Sequence, residues 1–176
     1  GLGDLRGIKA AMARFGQEVD MVIAVDGNLG SVIHEGIASR RLQVTVLTGG
    51  GHSWGDFGAP SAVHALGRMI ADIARLQVPA MPRSTASTSL AKLEKDVRSI
   101  LELHSNGVKL AIEVVGDRPG GALSSSHALV QLGKATLEAL GINPSSSPSS
   151  TDANVPLSLG IPAVCIGITT GQGAHR

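Results

Sequence analysis

His52 stands in a glycine-flanked loop, with Gly49, Gly50 and Gly51 before it and Ser53, Trp54, Gly55 and Asp56 after it. An imidazole placed there can donate a hydrogen bond to a developing oxyanion or bind a metal ion. On local sequence alone, an exposed loop histidine explains it equally well. His175 ends the run Gly171-Gln-Gly-Ala-His175, just beyond an apolar stretch. A neutral imidazole on a loop at a strand edge is a good metal ligand, although one histidine makes no site. Ser150, Thr151, Asp152, Ala153 and Asn154 gather short polar side chains before a helical stretch. Ser150 or Thr151 is expected as the N-cap, with Asp152 favouring the helix dipole, and a substrate contact can coexist with the cap. His34, His64, His104 and His127 have no partner at ligand spacing. The serines of 145–150 lack the base and orienter that a nucleophilic serine needs. The triple glycine is no phosphate loop, because no lysine follows it.

These residues need elements to position them. Leu5, Ile8, Met12 and Phe15 recur at helical spacing over 4–16. Residues 20–25 read as a buried strand that ends in the turn signal Asp26-Gly27-Asn28. Residues 32–47 carry strand alternation, and the two strands are expected to pair antiparallel with one wet face. Helices are predicted over 60–76 and 90–103, the second ending at Asn106-Gly107 in the manner of a C-cap. A strand over 108–115 leads to a sharp turn over 116–121. A third helix covers 126–140. The serine-rich stretch 143–150 reads as a flexible linker by composition, and as an active-site loop by its position between ordered elements. A short helix over 152–159 precedes the apolar strand 161–168. Such a strand suits the centre of a parallel sheet, whose ligands bind beyond the strands' C-terminal ends.

Composition bounds the function. The 176 residues include 43% hydrophobic and 16% charged types, enough to bury a core. A net charge of +1 with no basic stripe argues against nucleic acid and anionic membranes as partners. Two Phe, one Trp and no Tyr leave few rings for base or sugar stacking. The single cysteine, Cys165, excludes a disulfide framework, reads as a small buried hydrophobe and fits a cytoplasmic setting. No apolar run reaches the ~18–20 residues needed to cross a bilayer.

Thr48-Gly-Gly-Gly-His52-Ser-Trp-Gly-Asp-Phe-Gly-Ala-Pro-Ser-Ala62 resembles the lid motif of the dizinc peptidase family. That family includes glutamate carboxypeptidase, peptidase T, aminoacylase and succinyl-diaminopimelate desuccinylase. Ser150 to Asn154, Leu159 to Ala163 and Gly173 to His175 resemble its closing active-site segment, in the same order. The resemblance implies an α/β fold: a ferredoxin-like α+β lid over 18–116, incomplete near 84–88, with 1–17 and 117–176 as remnants of the catalytic domain. It implies that His175 is a zinc ligand and that His52 reaches a partner subunit's active site to stabilise the oxyanion. It implies that Thr151 and Asn154 line the pocket and that Arg118, in Gly-Asp-Arg-Pro-Gly, grips a substrate carboxylate, a turn role being equally open. It further implies a peptide or N-acyl amino acid substrate and a homodimer formed through the lid. The family's other metal ligands and its catalytic glutamate are expected before Gly1. The chain is therefore read as a fragment inactive alone, or else as a dimerisation module derived from the family.

Overall fold

The computed structural model describes residues 3–52, 54–77 and 86–170. The chain divides into two compact units, Gly1–Ser39 with Asp117–Arg176, and Arg40–Gly116.

The first unit is built on a three-stranded sheet in the order β1 (Val22–Val25), β7 (Ala163–Ile166), β2 (Val32–Ile33). β1 runs parallel to β7, with Val22 opposite Ala163 and Val25 opposite Ile166. β2 runs antiparallel to β7, with Ile33 opposite Cys165. The two faces follow from strand alternation. Val32 and Val164 pack with Leu129, Val130 and Leu137 of α4 (Ala128–Ala139). Ile33, Ala163 and Cys165 pack with Ala153 and with Leu157 of α5 (Asn154–Ser158). With helices on both faces, β7 has no wet side, which is why its sequence is apolar without interruption. α1 (Arg6–Phe15) buries Met12. Asp4, at its start, takes a positive φ of 46°. Its carboxylate accepts from Asp117 N–H at 2.9 Å and from Lys9 Nζ at 2.9 Å.

The expected antiparallel pairing of 20–25 with 32–47 does not form. Val22 and Ala24 lie against the α5-side cluster, so the partner of β1 is β7. The 32–47 stretch also breaks into β2, β3 (Glu35–Gly36) and β4 (Ser39–Leu47), because β3 leaves the main sheet to pair antiparallel with β6 (Gly121–Ala122). Close packing requires glycine on both of these strands. A Cβ at Gly36 would lie 2.8 Å from the Asn154 carboxamide carbon, and one at Gly121 would lie 2.6 Å from the Leu157 carbonyl carbon.

The serine-rich stretch is extended backbone, not a linker. Ser145 O accepts from Val32 N–H, Ser145 N–H donates to Gly30 O, and Ser149 exchanges bonds with Glu35 and Ile37.

In the second unit β4 pairs with β5 (Lys109–Arg118), and α2 (Ala62–Ile73) packs on α3 (Ala86–Leu103). Ser61 caps α2 by accepting from His64 N–H, and Ala65 and Met69 are its buried residues. Gly107 is not the expected C-cap: α3 ends at Leu103, and the φ of +75° at Gly107 belongs to the following turn, closed by Val108 N–H donating to Ser105 O at 3.1 Å. β5 runs on through Arg118, so the turn expected from 116 starts three residues later, at Pro119. The break expected near 84–88 falls partly outside the described residues, and α3 starts at Ala86. His104 Nε2 lies 2.7 Å from Asp72 Oδ2 and ties the end of α3 to α2. That hydrogen bond, helped by Arg75, holds the Asp72 carboxyl below its ordinary value.

Candidate functional site

Three of the candidate residues meet in the first unit. Arg118 ends β5, and its Nη1 donates to Ser150 Oγ at 3.2 Å. That bond sets the guanidinium beside the 150–154 segment. Asn154 organises the segment from beneath. It is fully buried, and its Nδ2 donates to Ile37 O and Pro119 O, both at 2.9 Å. Its Oδ1 accepts from Thr151 N–H at 2.9 Å. The carboxamide thus ties β3, the turn after Arg118 and the start of α5 into one knot.

Thr151 is also buried, and its Oγ1 accepts from Ala153 N–H at 3.2 Å. The predicted cap is displaced accordingly: the N-cap of α5 is Ala153, which has no side-chain cap bond. Thr151 instead closes the preceding turn. Cys165 lies below, donating from Sγ to Asp26 O at 3.4 Å, and burial pushes its thiol up. A thiol held protonated is no nucleophile, in keeping with its reading as a small hydrophobe.

His52 belongs to the second unit. Its ring Nδ1 accepts from Trp54 N–H and Gly55 N–H, each at 3.3 Å. Its own N–H donates to Asp56 Oδ2 at 2.6 Å, and Asp56 N–H returns to His52 O at 3.0 Å. The loop is open to solvent, with Trp54 87% and Phe57 90% exposed. His175 lies outside the described residues.

Asp26 was read from sequence only as part of a turn. It follows β1 directly, at the C-terminal end of the parallel pair. Its N–H donates to Ile166 O at 3.1 Å, while Ile168 and Thr169 N–H groups both donate to Gly27 O. The turn after β1 is therefore stitched to the segment leaving β7, on the edge where open parallel sheets bind ligands. Gly167 permits it, since a Cβ there would overlap the Asn28 carbonyl. The signal was present, an aspartate closing an apolar strand, but Asp-Gly-Asn is equally a turn signal.

His34 is buried with Nδ1 2.8 Å from Leu123 O, and His127 caps α4 by accepting from Leu129 N–H at 3.1 Å. Among the described residues no three His, Cys, Asp or Glu side chains converge as a cation site. No helix there is long and apolar enough to cross a membrane.

No protein-family model matches the sequence. No curated protein matches it either. Solved structures do match the fold. Aminopeptidase PepT from Bacillus cereus is 17% identical, with a TM-score of 0.63 over 94% of this chain and 54% of that one. A tripeptidase from Staphylococcus aureus is 14% identical, with a TM-score of 0.66 over 99% and 56%. A dinuclear metal-binding peptidase from Bacillus subtilis is 13% identical, with a TM-score of 0.54 over 98% and 54%. The chain spans about half the length of these structures. Its neighbours in fold are peptidases, one of them dinuclear metal-binding, and amidases, and its own fold is a mixed α/β portion of theirs.

Proposed function

We propose that the chain is a portion of a metal-dependent peptidase or amide hydrolase that cleaves a short peptide or an N-acyl amino acid. The observation that carries this reading is the likeness of fold, which takes in 94% and 99% of this chain in two peptidases. In this reading the second unit is the lid, through which a second copy of the chain pairs. The first unit is part of the catalytic domain.

Each candidate residue then has a task. Arg118 exchanges its bond to Ser150 for a bidentate grip on a substrate carboxylate. His52 donates to the oxyanion of the tetrahedral intermediate. Asp26 and His175 would be donors toward a metal, which would supply an activated water in the intact fold. The described residues do not complete a metal site by themselves, so the chemical step is not carried by this chain's described side chains alone. Asn154 fixes the backbone on either side of the Arg118 grip, at Pro119 next to Arg118 and at Thr151 next to Ser150.

The purified chain, assayed with and without added zinc against di- and tripeptides and N-acyl amino acids, is expected to hydrolyse none of them. Isotope-labelled chain titrated with N-acetyl amino acids is expected to show shifts around Arg118, lost in Arg118→Ala. Zinc-dependent turnover by residues 1–176 would sink the claim of inactivity. Acyl amino acids that leave the Arg118 region unmoved would sink the substrate reading.

A further inference from the structure

The sequence leaves two chemical roles for His52, hydrogen-bond donor or metal ligand, and the loop geometry separates them. Trp54 N–H and Gly55 N–H can only donate, and both meet Nδ1 at 3.3 Å. Nδ1 therefore offers its lone pair, and a neutral ring then carries its proton on Nε2.

The backbone of His52 is fixed from the other side. Asp56 Oδ2 accepts from His52 N–H at 2.6 Å. The exchange is like a capping box shifted by one residue: the His52 side chain caps the turn, and Asp56, four residues on, reaches back to the cap's own N–H. Here a histidine fills the place usually taken by serine or threonine. Gly51 leaves room for it, because a Cβ there would lie 2.9 Å from Asp56 Cβ and 3.1 Å from Oδ2.

We propose that Asp56 is a positioning residue that holds His52 as the neutral Nε2–H tautomer, so that the loop presents a hydrogen-bond donor and not a metal ligand. The inference rests on the reading of His52 as the oxyanion donor. Ligation through Nε2 requires the lone pair that this tautomer gives to the proton. Ligation through Nδ1 would have to displace two backbone donors. A neutral donor supplied by a preorganised loop strengthens its bond only as charge develops on the substrate oxygen, which is the differential that catalysis needs.

The test reads the ring directly, by long-range nitrogen–proton correlation spectra of histidine-labelled chain at about pH 8, above the ordinary histidine range. His52→Gln identifies the His52 signals among the six histidines. The wild-type ring is expected to show an unprotonated Nδ1 and a protonated Nε2, unmoved by added zinc. Asp56→Ala and Gly51→Ala are expected to move both nitrogens toward the average of an exchanging imidazole. Asp56→Asn, whose carbonyl oxygen still accepts the His52 N–H, is expected to restore the wild-type pattern. A proton on Nδ1, averaged wild-type signals or a zinc-induced shift at Nε2 overturns the tautomer. A wild-type pattern persisting in Asp56→Ala and Gly51→Ala overturns the role of Asp56. No turnover is measured, so failure of the hydrolase reading and failure of this one are told apart.

Discussion

The knot around Asn154 and the loop around His52 both gather residues that sequence reading marks as functional, but they use them in opposite ways. Asn154 is fully buried and gives both amide protons and its oxygen to backbone. His52 is exposed and gives the backbone one ring nitrogen. Polar side chains of similar character thus serve architecture in one unit and leave chemistry available in the other. Burial, rather than residue type, separates them.

The contrast is most sharply tested where the first unit has no slack. Gly167→Ala drives a Cβ into the Asn28 carbonyl, between the turn after β1 and the segment leaving β7. Backbone on both sides has to move, so the expected loss is about 4 kcal/mol or more, at the upper end for single substitutions. A urea midpoint close to wild type would show that this edge yields easily. Asn154→Ala comes next. It leaves Ile37 O, Pro119 O and Thr151 N–H without their partner in a buried setting, and unmade bonds of that kind cost ~1–3 kcal/mol each. Partial hydration brings the expected loss to about 3 kcal/mol, read by denaturant unfolding. A loss under about 1 kcal/mol would mean that the knot is not structural, and would return Asn154 to the role of a substrate residue.

What could be read from sequence follows the same division. The helices over 6–15, 62–73 and 128–139 and the strand 163–166 were legible because a periodic apolar face and an unbroken apolar run are local signals. The partner of β1 was not, since alternation within a strand gives its faces and not its neighbour. The split of 32–47 was less legible still. There Gly36 sits against Asn154, more than a hundred residues away in sequence. Asp26 was hidden by double meaning, and the architectural role of Thr151 and Asn154 by their bonding to backbone atoms that no sequence pattern reveals. His52 was legible as a candidate, but its tautomer depends on two backbone N–H groups that only the folded loop brings to it.

A smaller effect is expected in the second unit, where Asp72 joins His104 of α3 and Arg75. The Asp72 carboxyl is held below its ordinary value, first by the hydrogen bond from His104. A depressed carboxyl contributes stability above the unfolded value, near 3.8, and loses it as pH falls through the folded value below that. Asp72→Asn should therefore unfold more easily than wild type at neutral pH and converge with it under strong acid. The pair is partly exposed to water, so the difference should shrink with added salt. Curves that stay parallel down to the acid limit would show that the ion pair contributes nothing.

The smallest effect on stability should come from the residue on which the functional reading depends most. His52→Ala removes the acceptor for Trp54 N–H and Gly55 N–H, but both are exposed, and water replaces the lost partner at little cost. The loop around it is open to solvent, with Phe57 90% exposed, so no core depends on the ring. The unfolding free energy should fall by less than about 1 kcal/mol, in the range of a lost cap. Amide exchange should quicken at Trp54 and Gly55 and stay unchanged along α2 and β4. That pattern is the opposite of the one expected for Asn154→Ala, where exchange should quicken on several elements at once. If His52→Ala instead lowered the stability of its unit by as much as Asn154→Ala lowers the other, the loop would be scaffold too. The distinction between a side chain spent on the fold and one held ready for a substrate would then fail at the position where it is drawn most clearly.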